Sequence, residues 1–422
     1  MIITAVGDCA VQRNLPKYYD GFHKVRDFIM EGDIRFFNME TTVCENCPGT
    51  MHSGGTWLRT SKSVLRDMKE FGFNVTTPAN NHCMDYTYDG FLQTIDNMTD
   101  EGFFHSGGGR NLSEASKPCY IDTPKGRVAV ISCTSSYSPG AEAGEQSRDL
   151  PGRPGINPLR AKKIIYVTKD DFKHLGDIAD KTKMSAYNTI LVKEGYRKPD
   201  PEGVMDFCGF EFRVGEPGVK YEISKEDMRR IEKEIEVARF QADIVLISVH
   251  SHQICGDKKE EPADFLIEFS HRCIDAGANA VIGHGPHLLR PFEIYKGQPI
   301  FYCLGDFMLQ LENCEVAPDD FYRKWGLKPE DGIYELFRTR TKDFKLGLCR
   351  QSEMMESVIA KFELEDGKLS SLQFMPVELG LGLPNSQIGW PREERNRGIL
   401  ERFSEMSRQY GVSIDEDGFA NF

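Results

Sequence analysis

The sequence predicts a layered α/β domain in which β-strands alternate with helices. Short runs of β-branched and apolar residues recur through the first 310 residues. Segments with a single apolar face, the pattern of an amphipathic helix, lie between several of these runs. Polar side chains follow directly after five of the runs. Because ligands of open α/β sheets bind where the strands end, this third pattern predicts a functional site at that edge.

Seven runs are predicted strands, because each is short, apolar and rich in β-branched or aromatic residues. In chain order they cover residues 2–6, 34–38, 74–77, 128–133, 243–249, 278–282 and 299–304. Their alternation with helical segments indicates a sheet with helices packed on it.

Two of the helices are especially clear in the sequence. Residues 224–240 place four apolar side chains on one face, those of Met228, Ile231, Ile235 and Ala238. Ser224 and Asp227 have the spacing of a capping box at its start. Residues 263–276 form the second helix, which Gly277 is expected to end.

The chain is predicted to comprise a core over residues 1–315 and a C-terminal extension over residues 316–422. Within the core, residues 138–218 are rich in Gly, Pro and charged residues and are predicted to form an insertion. In the extension, runs at 357–364 and 369–377 flank Asp366-Gly367, a turn signal that predicts a hairpin. The last thirty residues are expected to form a polar helix and a tail.

Composition excludes several classes of protein. The net charge of −13 repels nucleic acid, and the basic residues are not clustered, so no nucleic-acid partner is expected. No apolar run approaches the ~20 residues of a membrane helix, and the N-terminus does not resemble a signal peptide. We therefore expect a cytoplasmic protein whose twelve cysteines, including Cys44 and Cys47, are reduced thiols.

The polar residues at the strand ends are carboxylates, amides and imidazoles. They are Asp8, Glu40, Asn80, Asn81, His82, His250, His252, His284 and His287. The Gly-His-Gly-Pro-His segment at 283–287 is the most specific, because its glycines permit a tight turn that aims both rings at one point. Oxygen ligands combined with imidazoles match the preferences of Mn, Fe or Zn.

The order of these motifs resembles the calcineurin-like metallophosphatase superfamily. Within it, the chain is similar to the branch named after CapA, a poly-γ-glutamate capsule-biosynthesis protein, over about residues 2–310. The segments that carry the resemblance are Gly7-Asp8, Asn38-Met39-Glu40, Asn81-His82 with Asp85, Val249-His250, the segment at 283–287, and connecting segments at 106–112 and 302–307.

The resemblance implies a four-layer α/β/β/α sandwich of the metallophosphatase type with two divalent metal ions, Mn, Fe or Zn, at one edge. The implied ligands are Glu40 between the two ions, Asp8 and His287 on one ion, and Asn81, His250 and His284 on the other. His82, oriented by Asp85, would be the acid beside the leaving group. Hydroxide held by the metals would attack the substrate.

Two positions depart from the pattern of the family. Superfamily members begin with Asp-x-His, but Asp8 is followed here by Cys9 and Ala10, so the first ion lacks the imidazole that this motif supplies. Many members of the CapA branch carry His-Trp-Gly after the fourth strand, where this chain has His250-Ser251-His252. The second departure changes the expected substrate pocket more than the metal site.

Candidates for substrate contact are His252 and Arg59. His252 is either a substrate contact or an exposed loop histidine. Arg59 lies in a segment that resembles a family segment near the site, and its guanidinium can pair with a carboxylate or a phosphate. A basic run at 338–345 is either a solvated face or meets an anionic substrate, if the C-terminal region folds over the pocket.

The expected function is that of a metal-dependent hydrolase of a phosphoester or a γ-glutamyl-type amide. One alternative is a non-catalytic accessory protein of polyglutamate synthesis. A second alternative is a metal-independent acid–base isomerase or epimerase of a peptide. The expected partner is an anionic small molecule, a peptide or polyglutamate, and the sequence is compatible with a homo-oligomer.

Overall fold

Two β-sheets lie face to face in this protein, with helices on their outer surfaces. The computed structural model describes residues 1–16, 19–47, 49–51, 53, 55–394 and 397–422.

The first part of the chain alternates strands with helices. In order, its elements are β1 (Ile2–Ala10), α1 (Phe22–Ile29), β2 (Ile34–Asn38), β3 (Thr42–Val43), β4 (Arg59–Thr60), α2 (Ser63–Glu70), β5 (Val75–Thr77), α3 (Thr87–Asp100), β6 (Phe104–His105), β7 (Gly108–Gly109), α4 (Leu112–Ser116), β8 (Cys119–Thr123), β9 (Gly126–Thr134) and β10 (Gly155–Ile156). All but the first residue of β1 are buried, as expected for a strand with a layer on each face.

A small sheet with two helices follows. Its elements are β11 (Ala161–Val167), α5 (Lys169–Thr182), α6 (Ala186–Lys193), β12 (Val204–Phe207), β13 (Phe210–Val214) and β14 (Gly218–Ile223), in the strand order β12-β13-β11-β14. This unit overlaps the insertion predicted at 138–218 but begins later. Residues 138–160 run as a loop that contains β10.

The chain then returns to the second large sheet. Its elements are α7 (Lys225–Gln241), β15 (Ile244–His250), β16 (Ile254–Cys255), β17 (Lys258–Pro262), α8 (Asp264–Ala276), β18 (Ala280–His284), β19 (Leu289–Tyr295), β20 (Gln298–Leu304) and β21 (Asp306–Leu309). Ser224 caps α7 by accepting a hydrogen bond from the Asp227 N–H at 3.3 Å, and Gly277 ends α8 with φ +110°.

The C-terminal part adds helices and a long hairpin. It contains α9 (Asp319–Lys324), α10 (Gly332–Arg340), β22 (Glu356–Glu365), β23 (Lys368–Glu378), β24 (Arg392–Glu393), α11 (Gly398–Ser407), β25 (Ser413–Ile414) and β26 (Ala420–Asn421), with 3-10 turns at Pro329–Asp331, Leu348–Arg350, Ser352–Met354 and Arg408–Tyr410. Asp366 and Gly367, both with positive φ, form the turn of the predicted β22–β23 hairpin.

The strand order of the first large sheet is β24-β23-β22-β1-β2-β5-β6, and β21 also pairs with β1. The second large sheet has the order β19-β20-β18-β15-β9-β8. β22 is antiparallel to β1, with Ile3 opposite Phe362. The C-terminal hairpin therefore belongs to the same layer as the N-terminal strand. The division of the chain into domains at residue 315 stays a prediction.

Three apolar clusters define four layers. Ile3 and Phe36 of the first sheet pack with Leu246 and Phe301 of the second, and they form the core between the sheets. α7 and α8 cover the outer face of the second sheet. α1, α2, α9 and α10 cover the outer face of the first sheet. The four-layer α/β/β/α sandwich that the resemblance implies is thus confirmed.

The seven predicted strands are confirmed, each within four residues at either end. The C-terminal helix differs from the expected polar helix. α11 buries Ile399, Leu400 and Phe403 in the core between the sheets. Its three apolar residues recur at helical spacing and therefore form one apolar face.

The cysteines differ from expectation at one place. Cys44 and Cys47 are joined as a disulfide, for which their Cα separation of 6.1 Å is suitable, and not as the two reduced loop thiols that were expected. The other ten cysteines are free. No helix in the described ranges of the chain has the length and apolar character that a membrane span requires.

Candidate metal centre

The candidate site lies where the parallel strands of the two sheets end. Asp8 on β1 is paired in register with Asn38 at the end of β2. In the other sheet, His250 at the end of β15 is paired with His284 at the end of β18. Because the carboxyl ends of parallel strands share one edge, residues far apart in sequence converge there.

Four buried side chains form a carboxylate-rich group. The ligand atoms of Asp8, Glu40, His287 and Asp306 all lie within 4.8 Å of one another. His287 Nδ1 donates to Asp306 Oδ1 at 3.0 Å and lies 3.9 Å from Glu40 Oε2. Three carboxylates and one imidazole therefore surround a single point.

Imidazoles form a second group on the other side of Glu40. The Nε2 atoms of His250 and His252 lie 3.0 Å apart. Asn81 Oδ1 lies 2.7 Å from His250 Nε2 and 3.3 Å from His252 Nε2. Glu40 Oε1 is 3.7 Å from His250 Nε2. This group includes His252, which the sequence left as a substrate contact or a loop residue.

His284 contacts one residue of each group. Its Nδ1 is 3.4 Å from Asp8 Oδ1 and 2.9 Å from His250 Nδ1, while its Nε2 is 2.8 Å from Ser248 Oγ. The turn that follows His284 requires Gly285, which has φ +129° and whose added Cβ would lie 2.9 Å from the backbone of Ser251. His287 itself has φ 64°, a strained conformation of the kind found at functional sites.

Asn38 and Asn80 orient the Asp8 carboxylate, Asn38 directly and Asn80 through Asn38. Asn38 Nδ2 donates to Asp8 Oδ1 at 2.6 Å, and the Gly285 N–H donates to Asp8 Oδ2 at 2.7 Å. Asn80 in turn donates to Asn38 Oδ1 at 3.0 Å and to the carbonyl oxygen of Met39 at 2.8 Å. Asn80, predicted as one of the polar residues at the strand ends, therefore orients the site without facing the ligand groups.

The pKa values of the three carboxylates shift in different directions, although burial acts to raise each of them. Burial opposes the ionisation of Asp8, but its hydrogen bonds with His250 and His284 hold the pKa of Asp8 well below its usual value. Burial and the nearby charges of Asp8 and Asp306 raise the pKa of Glu40 well above its usual value. Burial also raises the pKa of Asp306 to about 6, although His287 opposes the shift.

Three buried carboxylate oxygens without hydrogen-bond partners among the described residues indicate that a metal ion fits this site. Both carboxylate oxygens of Glu40 and the Oδ2 atom of Asp306 are buried without a hydrogen-bond partner among the described residues. Buried carboxylates without partners are costly, and a divalent cation would satisfy them together. The donor set of carboxylates, imidazoles and an amide is the one that Mn, Fe and Zn accept. The residues present therefore fit divalent metal ions.

The histidine expected to act as an acid is held beside this centre. His82 Nδ1 donates to Asp85 Oδ2 at 2.7 Å, and both side chains are buried. The same oxygen accepts the Leu58 N–H at 2.8 Å. Asp85 therefore orients the imidazole so that its other nitrogen remains available.

A cleft of about 380 Å³ opens onto the centre. Asn81, His82, His252 and His287 line it on one side, and Thr56 and Arg340 also contribute. Arg59, the arginine expected to contact substrate, lies elsewhere. It is placed over the Tyr86 ring at 5.5 Å and lines a different cavity of about 440 Å³. Arg59 is not among the described residues that line the cleft beside the histidines, and its contact with substrate stays a prediction.

Sequence reasoning missed Asp306 as a ligand candidate. The residue follows the predicted strand at 299–304, as the other candidates follow theirs, and it lies in a segment noted only for its family resemblance. Cys9, which stands where the family has an intervening residue, lies in the apolar core. Asp306 thus offers a buried carboxylate oxygen within 4.8 Å of a carboxylate oxygen of Asp8.

The family described as "Bacterial capsule synthesis protein PGA_cap" matches residues 2–310 of the chain. This chain belongs to the capsule synthesis protein family. The predicted similarity to the CapA family is therefore confirmed.

The chain is also similar to individual proteins. The "Uncharacterized protein y4sH" of Sinorhizobium fredii (strain NBRC 101917 / NGR234) is 31% identical, over 98% of this chain and 90% of the relative. "Capsule biosynthesis protein CapA" of Bacillus anthracis is 22% identical, over 91% of this chain and 69% of the relative. A solved structure of a novel phosphatase from Mycoplasma pneumoniae has a TM-score of 0.40 and 11% identity, over 90% of this chain and 93% of that one. At that TM-score no conclusion rests on the likeness.

Proposed function

We propose that this member of the capsule synthesis protein family is a metal-dependent hydrolase that cleaves a phosphoester or a γ-glutamyl-type amide. The observation that carries the proposal is the Glu40 carboxylate, which is fully buried with both oxygens unpartnered among the described residues. It lies between a carboxylate-rich group and an imidazole group, as expected of a side chain that two cations share.

The proposed ligands fall into two sets that share Glu40. Asp8, His287 and Asp306 complete the first set, and His250, His252 and Asn81 complete the second. His284, which contacts both Asp8 and His250, lies within reach of either set. Bound divalent ions supply Lewis-acid activation of the scissile bond and of a water molecule.

The protein's own residues supply the proton and the orientation. His82 holds a proton for the leaving group, because Asp85 accepts a hydrogen bond from the opposite ring nitrogen and stabilises the charged imidazole. The buried side chains around His82 limit its motion, which keeps the proton donor aligned with the cleft. A leaving oxygen or nitrogen at this position receives the proton as the bond breaks.

An anionic substrate is consistent with the family. Capsule synthesis relatives such as CapA of Bacillus anthracis are named for capsule biosynthesis, and the resemblance to the CapA branch suggests polyglutamate or its fragments. The cleft of about 380 Å³ is large enough for one small ligand or the end of a polymer. The cytoplasmic location and a homo-oligomeric state stay predictions.

Metal content per chain tests the proposal. Protein purified without chelator or histidine tag should hold about two ions per chain after loading with manganese or zinc, by elemental analysis. Glu40→Gln should lose at least one of them, whereas Glu330→Gln, on an exposed turn, should lose none. Loaded protein should then hydrolyse a phosphoester or a γ-glutamyl amide.

The alternatives predict other outcomes of the same experiment. Metal-replete protein that binds polyglutamate but cleaves no ester or amide would support a non-catalytic accessory protein. Protein that takes up no metal even after loading would contradict the hydrolase. In that case, incorporation of solvent deuterium into a peptide without cleavage would identify a metal-independent isomerase or epimerase.

A further inference from the structure

Arg340 brings a positive charge to the cleft from outside the region that defines the family. It lies at the end of α10, beyond residues 2–310 to which the family matches. Its side chain nevertheless lines the same cavity as His82, His252 and His287. The C-terminal region therefore folds over the site. This was one of two interpretations that the sequence left open for the basic run at 338–345.

The guanidinium of Arg340 is held in a fixed place. It lies 5.4 Å from the centre of the Phe321 ring and 6.0 Å from that of Phe337, distances at which a cation interacts with an aromatic face. Its Nη1 donates a hydrogen bond to Thr56 Oγ1. Because these contacts restrain the side chain before ligand arrives, less conformational entropy is lost on binding.

No carboxylate in the described part of the chain lies within ion-pair distance of this guanidinium. Glu312, whose charge reaches Arg340, is itself paired with Arg350 at 2.6 Å. Arg338 on the same helix differs, because it is exposed and paired with both Glu335 and Asp343. Of these two arginines on α10, Arg340 is the one that is half-buried, held in place and without an ion-pair partner among the described residues.

We propose that Arg340 binds a carboxylate of the substrate and thereby sets substrate specificity. The proposal rests on the hydrolase function proposed above. A guanidinium pairs with a planar carboxylate through two parallel hydrogen bonds. Arg340 is the one arginine or lysine lining the cleft among the described residues, and one positive charge balances a carboxylate better than a phosphate dianion. A carboxylate at Arg340 places another part of the same substrate at His82.

Binding of L-γ-glutamyl-L-glutamate to manganese-loaded full-length protein tests this. By calorimetry, Arg340→Met should raise the dissociation constant about ten- to hundredfold, and Arg340→Lys should raise it less. Arg338→Met is the matched control on the same helix and should leave the constant unchanged. The same dipeptide with its carboxyl groups converted to amides should bind the parent protein and Arg340→Met equally weakly. Metal content and thermal unfolding should be the same for the parent and Arg340→Met.

Several results would overturn the proposal. They are an unchanged dissociation constant in Arg340→Met, no measurable dipeptide binding by the parent protein, and an Arg340-dependent affinity for inorganic phosphate that the dipeptide does not share. Absence of hydrolysis is a separate result, which bears on the proposed function and not on Arg340. Arg340-dependent binding without any turnover would refute hydrolysis alone, whereas turnover of the dipeptide that ignores Arg340→Met would refute this inference alone.

Discussion

Asp8 and Asp306 occupy paired positions on the adjacent parallel strands β1 and β21. The pairing places two carboxylates side by side, although one comes near the start of the chain and the other follows the last strand of the second sheet. Asp8 is held by Asn38 and Gly285, but Asp306 keeps one oxygen unpartnered among the described residues. Asp306 is therefore the member of the pair with a free position for a cation.

Replacing Asp306 should separate two effects on the free energy of unfolding. One is the destabilisation by its buried charge, and the other is the stabilisation by the metal ion that it helps to bind. In chelator, Asp306→Asn should raise the free energy of unfolding by about 1–3 kcal/mol, because a buried carboxylate beside Asp8 and Glu40 becomes neutral. In manganese, the same variant should gain less stability than the parent, since one ligand is weakened. Urea unfolding in each condition measures both effects. The control Asp257→Asn, on an exposed loop, should change neither the stability in chelator nor the stabilisation by manganese. If manganese stabilises Asp306→Asn as much as the parent, Asp306 is not a ligand.

The His82–Asp85 pair should control turnover without controlling metal content. His82→Ala should lower kcat by about 10²–10⁴-fold, the usual contribution of a general acid. Asp85→Asn should lower it by a smaller factor, because the amide oxygen can still accept the Leu58 N–H but does not stabilise a charged imidazole. Steady-state kinetics with matched elemental analysis checks both variants. His23→Ala, on the exposed face of α1, is the control, and full activity in His82→Ala would exclude the imidazole from the reaction.

Gly7 should be intolerant of any side chain. A Cβ atom there would lie 1.8 Å from the carbonyl oxygen of Gly305, so β1 and β21 would have to separate. Gly7→Ala should lower the free energy of unfolding by about 3 kcal/mol or more, as overpacking against backbone does. Gly218→Ala is the matched control, because nothing lies within 4 Å of its added Cβ. Chemical denaturation compares the two, and equal stabilities would contradict the close contact.

Acid should weaken the link between α7 and the loop before β11. Burial alone would raise the pKa of Asp227, but hydrogen bonds from Arg160 and Arg230 outweigh it and lower that pKa below its usual value. The ionised carboxylate therefore stabilises the fold above about pH 4, and this stabilisation is lost as the pH falls through the folded-state value. Asp227→Asn should lower the free energy of unfolding at pH 7 by about 3 kcal/mol.

Denaturation at several pH values completes that test. The difference between Asp227→Asn and the parent should shrink in acid, because the parent loses the same ion pairs there. Asp170→Asn, an exposed residue in the first turn of α5, should show a small difference at pH 7. A constant difference across the acid range would mean that Asp227 acts through packing and not through charge.

The strands and most of the site residues were predictable from the sequence for a physical reason. Strands buried on both faces are largely apolar, so the first ionisable side chain marks their carboxyl-terminal part, as at Asp8 and His250. Asp306 was harder to recognise, because only Gly305 separates β20 from β21 and apolar residues lie on both sides of the Gly-Asp pair.

Other features depend on contacts between distant segments. The pairing of β22 with β1 and the approach of Arg340 to the cleft leave no local pattern, since each depends on where a remote element packs. The sheet at 161–223 was not predicted because its strands are largely exposed or half-buried, so they lack strong apolar periodicity. The capping box predicted at the start of α7 forms only in part, also because of a contact with a distant segment. Ser224 caps α7, but the Asp227 carboxylate binds Arg160 instead of completing the box.

The position of β1 in its sheet has a consequence for synthesis of the chain. The ribosome produces β1 more than 300 residues before the strand beside it, β22, in which Phe362 lies opposite Ile3. Until then, one edge of a strongly apolar strand has unpaired backbone groups, which can join strands of other chains. Nascent or prematurely terminated chains are therefore expected to need protection from association, and the hairpin of the C-terminal region ends that exposure.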